Sequence, residues 1–423
     1  MTRHGLPLAQ GLSKVTGFAL GPYQTAVVRI GFAGTWLFFL LRELPHRHEM
    51  YGPDGPWDWG MARQLISGNG AFTALMWSDG HLWFEAVYAL AVLSSALLML
   101  GWHTRAMSVL FMIGVLSLQN RSIFIGDGGD NVIHLMATYL VLTRCAQVWS
   151  LDARRAARAR GEGVVDPADG PGMADGAERP DAVHAAGGVD RVGPVLWWVL
   201  GIALSVVTFM GELSPGWLLI FWGLWLVHGL WWAVGRRAPH SELRKLLDVV
   251  ANLAHNAGLL VIMIEACLIY ATAGWYKIQG SRWQDGTAVY YPLNLDYFSP
   301  WHTLSELLSS NGLILLLVTY GTVAVQVAFP FTLFNRRVKN VLLAAMIFEH
   351  AVIAVVLGLP FFSLAMITAD AVFLPTSFLR RLGGGVARAR GALASRVRRK
   401  RAVPADRRQD EEPAEHARVG FTP

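Results

Sequence analysis

Apolar runs of one recurring length alternate along this chain with shorter polar stretches. Ten such runs cover residues 22–42, 81–101, 105–123, 130–148, 193–211, 216–235, 252–273, 312–334, 339–358 and 361–379. Each is about 20 residues long, which is what a helix needs to cross a hydrocarbon core. The pattern predicts an all-α protein, a polytopic bundle of about ten transmembrane helices.

The polar stretches between them carry the topology. With the N-terminus inside and strict alternation, most of the 36 Lys and Arg residues fall on the inner side. The outer loops hold only Arg47, Arg63, Arg121, Lys277 and Arg282. This bias predicts that both termini lie inside. Residues 150–191 are rich in Ala, Gly, Asp and Arg and lack large apolar side chains, so they read as a disordered linker. Residues 383–423 read as a disordered tail, basic and then acidic, whose Arg396–Arg401 stretch meets anionic lipid. The organisation that follows is a four-span block at 1–149, the linker, a two-span insertion at 192–250, a second block at 251–382 and the tail. Loop 43–80, with Pro53, Pro56, Trp57 and Trp59, reads as an interfacial cap.

Composition sharpens this picture in few places. The net charge of +6 reflects loops and tail, so it does not point to nucleic acid. The cysteines, Cys145 and Cys267, fall in or beside apolar helices and read as buried thiols. No signal peptide stands out at the N-terminus, and the first span is expected to direct insertion. Membrane lipids are therefore the first expected partner, and the cell membrane the expected location.

Candidate chemistry concentrates at Tyr270–Tyr291, YATAGWYKIQGSRWQDGTAVYY, where an apolar helix gives way to an aromatic loop. Lys277 sits at the junction, near Tyr270, Trp275, Tyr276 and Trp283. Among rings at a membrane boundary a lysine loses hydration, which disfavours the ammonium and can make it a base. The alternative is a lysine that snorkels to the headgroups.

Ionisable groups within spans are costly and often functional. They are Arg29, Glu85, His134, Glu265, Glu349, His350 and Asp370, with Gln326 a polar neighbour. Arg29 precedes the small residues Gly31, Ala33 and Gly34. It is expected either to pair with Glu85 or Glu265 or to serve a substrate. GDGGDNVIH at 126–134 opens the fourth run. There Asp127, Asp130 and Asn131 can cap a helix. Asp130 and His134, four apart, could instead form a proton relay. Glu349 and His350 point to different faces of one helix. His46, His48, His81 and His134 lack metal-site spacing, and no metal is expected.

Several stretches resemble the horizontally transferred transmembrane (HTTM) domain family. That family includes the membrane part of vitamin K-dependent gamma-glutamyl carboxylase and sporulation-delaying protein B. The likeness covers about residues 20–150 and 250–378. Its most specific part is Ala273, Gly274, Lys277 and Trp283, supported by Phe361, Phe362, Ser363 and Pro375. The resemblance implies that Lys277 is a base that deprotonates a reduced quinone of the vitamin K type, with His134, Asn131 and Asp130 assisting. Arg29, Tyr276, Trp283 and Glu265 would line the substrate site. It implies gamma-glutamyl carboxylase-like chemistry if the protein is catalytic. This chain departs from the carboxylase in having no lumenal β-rich domain after its last span, and in its inserted spans. A second expectation is therefore a non-catalytic factor that matures, exports or gives immunity to a secreted peptide. A transporter is a third.

Overall fold

The computed structural model describes residues 5–159 and 192–401, and all regular structure among them is helical. In chain order the helices are α1 (Gly5–Gly17), α2 (Pro22–Arg42), α3 (Arg47–Tyr51), α4 (Trp59–Asn69), α5 (His81–Leu100), α6 (Thr104–Arg121), α7 (Gly128–Leu140) and α8 (Leu151–Ala159). After the gap come α9 (Val192–Met210), α10 (Pro215–Arg237), α11 (Glu242–Gln279), α12 (Ser281–Gln284), α13 (Tyr290–Leu293) and α14 (His302–Ser309). The chain finishes with α15 (Gly312–Ala328), α16 (Arg336–Val356), α17 (Pro360–Asp370) and α18 (Thr376–Arg401). The described residues form two compact units, 5–376 without the gap and 377–401.

Among the described residues, seven helices are long and apolar enough to cross a membrane: α2, α5, α9, α10, α11, α15 with the turn that continues it, and α16; α17 and α18 taken as one span would make an eighth. Large apolar side chains on α9 and α10 face outward, Phe209 being 94% and Leu219 78% exposed. Water penalises that arrangement and lipid does not.

Two of the ten expected spans, the third and fourth, take another form, and the tenth is broken into two helices that are long and apolar enough only as a pair. α6 lies at its expected place but carries Ser108, Ser117, Gln119 and Asn120, and it is a buried core helix. α7 ends at Leu140, because the chain after it turns and gives the carbonyls of Cys145 and Trp149 to the Arg29 guanidinium. α17 ends at Asp370, followed by a turn at Ala371–Phe373 and then Pro375, which cannot continue a helix.

Disorder was expected from residue 150, yet Leu151–Ala159 is helical. Asp152 caps α6 by accepting from the backbone N–H groups of His103 and Thr104, at 3.0 and 2.9 Å. The rest of that linker, 160–191, lies outside the described residues. The tail is likewise helical as far as Arg401, in keeping with its Leu, Ala and Arg content. Residues 402–423 lie outside the described residues.

Packing centres on α2, whose Val28, Phe32, Ala33, Trp36 and Leu40 are buried among α5, α7 and α17. Close approach to α17 requires Gly31, where a Cβ would stand 2.4 Å from Thr368 Oγ1 and Cγ2. Gly31→Val should therefore cost about 1–3 kcal/mol by overpacking. An unchanged thermal midpoint in detergent would contradict this.

The loop 43–80 does cap the bundle. Ser117 of α6 accepts from Thr73 and Ala74 at its carbonyl and hydroxyl, Asn120 donates to the Phe72 carbonyl, and Arg121 donates to those of Gly52 and Trp57. At the other end of the molecule, His255 of α11 donates from Nε2 to the Leu20 carbonyl at 2.7 Å and accepts the Arg144 N–H at Nδ1, also at 2.7 Å. α9 and α10 form a hairpin closed by two stacked indoles, Trp197 and Trp225, 4.0 Å apart. Each indole N–H donates to the other residue's carbonyl, and each ring fills the space over a glycine, Gly229 or Gly201.

Candidate functional site

Lys277 lies in the last turn of α11, where a cation meets the free carbonyls of the helix end. Its Nζ donates to Gln326 Oε1 of α15 at 2.7 Å, and Gln326 Nε2 donates to Glu349 Oε1 of α16 at 2.7 Å. One amide thus bridges an ammonium and a carboxylate, and its orientation satisfies both. The Trp283 ring of α12 lies over Nζ at 5.2 Å, within cation–π range. Gly274 lets α15 approach α11 here, since a Cβ would lie 2.5 Å from Val327 Cγ2. The site is neutral as a unit and remains partly open, with Lys277 half-buried.

Two turns earlier on α11, Tyr270 forms a second cluster. Its hydroxyl donates to Asp370 Oδ2 of α17 at 3.0 Å and lies 3.1 Å from His350 Nε2 of α16. All three side chains are buried, Tyr270 at 1%, His350 at 2% and Asp370 at 0% exposure. Phe329 packs on Tyr270 and Phe362 on His350, with Phe373 behind Phe329. Adjacent residues on α16 therefore serve different clusters, Glu349 the Lys277 chain and His350 the tyrosine.

The remaining expected site residues are placed elsewhere. Asp130 does not pair with His134. Asp127 accepts the N–H groups of Gly129 and Asp130 at 2.7 and 3.0 Å, and Asp130 Oδ2 accepts the Asp127 N–H at 3.0 Å, a reciprocal cap. Four-residue spacing puts Asp130 and His134 on one face, but the free N–H groups of the helix start engage the carboxylate first. His134 Nδ1 instead meets Gln119 Oε1 at 2.9 Å. Asn131 is exposed and bonds the Asp127 carbonyl. His134 lines a cavity of about 250 Å³ with Phe72, Asn120, Thr138, Tyr139 and Trp217, which includes no member of the Lys277 chain.

Arg29 makes no ion pair with Glu85 or Glu265 among the described residues. It is fully buried and donates to four carbonyls: Leu98 at 2.7 Å, Met99 at 2.9 Å, Trp149 at 2.8 Å and Cys145 at 3.1 Å. Glu85 pairs instead with Arg47 and His48, each at 2.8 Å. Glu265 lies near the Tyr139 hydroxyl instead. Tyr276 adjoins Lys277 in sequence but is 73% exposed, because neighbours on a helix point about 100° apart.

Gln326, Glu349, His350 and Asp370 were visible as polar residues in apolar runs. Their assembly with Lys277 and Tyr270 depends on how α11, α15, α16 and α17 pack, which spacing within one helix does not encode.

No family profile and no solved structure matches the chain. A stretch of 132 residues, 30% of the chain, is 29% identical to the uncharacterized protein YitO of Bacillus subtilis. The match covers 41% of that protein's length.

Proposed function

We propose that this helical protein is a multi-pass membrane protein of the HTTM type, with both termini inside, that acts at its outer face through Lys277. Its substrate is a quinol or a secreted peptide, and Lys277 accepts a proton from it. The observation that carries this reading is the Lys277–Gln326–Glu349 chain. A lysine is a base only as the free amine, and Glu349 keeps the unit neutral whether the proton sits on nitrogen or on carboxylate. Trp283 offers a flat aromatic face beside the amine, which suits the ring of a quinol. A quinol supplies an acidic hydroxyl; the chain supplies the acceptor for its proton.

A second reading, a non-catalytic factor for a secreted peptide, is favoured by the exposed aromatics near the site. Trp275, Tyr276, Tyr290, Tyr291, Tyr297 and Trp301 are between 42% and 86% exposed. In that reading Lys277 anchors the peptide. A transporter finds less support, because the sequence shows no repeat between its halves and the described residues hold a single broken helix pair.

Both leading readings need Lys277 outside. An alkaline phosphatase fused after Gly280 should be active and a fluorescent protein fused there dark. The reverse result rejects both. Oxidation of a reduced naphthoquinone by dissolved oxygen, followed with and without the purified protein in lipid nanodiscs, then separates them, since only the first reading, with a quinol as substrate, yields protein-dependent turnover.

A further inference from the structure

The Lys277 chain leaves the Tyr270 cluster without a role, and that cluster has features a purely structural contact does not need. Tyr270 has one hydroxyl proton and donates it to Asp370 Oδ2. Its oxygen then accepts from His350 Nε2, which fixes the proton of a neutral imidazole on that nitrogen. Two atoms remain, His350 Nδ1 and Asp370 Oδ1, both buried without a partner. Both are acceptors in this arrangement. A cluster with neither atom protonated carries one negative charge in an apolar, aromatic enclosure, and no ion pair reaches Asp370 among the described residues. Burying an uncompensated carboxylate is strongly unfavourable. One added proton removes that charge, whichever of the two atoms takes it.

We propose that Tyr270, His350 and Asp370 form a buried proton-binding site that holds one exchangeable proton, shared between the imidazole and the carboxylate through the tyrosine hydroxyl. With the proton on Nδ1 the pair is imidazolium and carboxylate. Transfer moves the Nε2 proton to the Tyr270 oxygen while the tyrosine proton passes to Asp370 Oδ2. The product is a neutral imidazole, now protonated at Nδ1, and a carboxylic acid. Atoms and charge balance, and tyrosine is unchanged. The serial hydrogen bonds of 3.1 and 3.0 Å provide the route.

The groups facing this site are few. α11 brings Cys267 and, two turns on, Lys277; α16 brings Glu349; α17 brings Ser363, whose buried hydroxyl also lacks a partner. On the sides of α17 that meet α2 and α7, Arg29 and Asp130 are committed to other bonds. The continuation of α15 brings Phe329. Proton occupancy is therefore set by the cluster and by the Lys277–Glu349 unit on the same two helices. The proposal does not require Lys277 to act as a base, so the two can fail separately.

Infrared difference spectra of the full-length protein in lipid nanodiscs, recorded between acidic and alkaline buffer, test it. The wild type should show the carbonyl stretch of a protonated carboxylic acid that shifts in heavy water. The band should vanish in Asp370→Asn, move in Tyr270→Phe and in His350→Gln, and persist in Glu349→Gln. A spectrum unchanged by Asp370→Asn, or a band lost only with Glu349→Gln, overturns the proposal. Should Asp370→Asn fail to assemble, Tyr270→Phe, which keeps the ring, decides alone: an unmoved band rejects the shared proton.

Discussion

Arg29→Ala should lower the stability of the helical unit by about 4 kcal/mol or more, since each buried carbonyl left without a donor costs about 1–3 kcal/mol. The four carbonyls at stake belong to two separate segments, the end of α5 and the turn after α7. The guanidinium spans both because its donors diverge in a rigid plane. Arg29→Lys should recover only part of the loss. An ammonium offers three donors from one point, and it cannot serve four acceptors on two segments. Thermal unfolding in detergent, followed by loss of monodisperse protein, gives the comparison. The expected order of midpoints is wild type, lysine, alanine. A lysine variant as stable as wild type would mean that charge rather than fork geometry matters at this position.

Lys277→Arg should abolish turnover, a fall of about 10²–10⁴-fold, the range typical of losing a general base. Arginine keeps the positive charge, can still donate to Gln326 and can lie over Trp283, but it does not give up its proton. Lys277→Ala should fall by a similar factor. The pair of variants is informative because the anchor reading predicts the opposite pattern, with arginine retaining function and alanine losing it. The measurement is initial rate with a reduced naphthoquinone, or conversion of a secreted peptide followed by mass. The Lys277→Ala, Glu349→Gln double variant should be no worse than Lys277→Ala alone, because residues that act as one unit are not additive.

Residues whose role follows from chain-local physics were legible in the sequence. The apolar runs gave the helical class, and Asp127 and Asp130 announced the start of α7. Where the reading departed from the structure, a local rule met a tertiary competitor. Asp130 and His134 have the spacing of a pair, but helix-start N–H groups take the carboxylate and Gln119 takes the imidazole. Arg29 suggested an acidic partner, whereas the packed helix ends offered carbonyls. Asp152 looked like part of a solvated linker until its cap on α6 placed it. Lys277 was conspicuous from the start. Its partners Gln326 and Glu349 are 49 and 23 residues further along successive contacts, a separation no periodicity links.

The α9–α10 hairpin has a bearing on biogenesis. Its two tryptophans are 28 residues apart, and the clasp between them uses nothing from outside the hairpin. Each ring seats on the partner helix's glycine, so register and spacing are set within the pair. Such a pair can close as soon as its second helix leaves the ribosome, before α11 exists to receive it. It would then enter the lipid as a finished piece, and the later helices would assemble against a surface that no longer has a choice of shape.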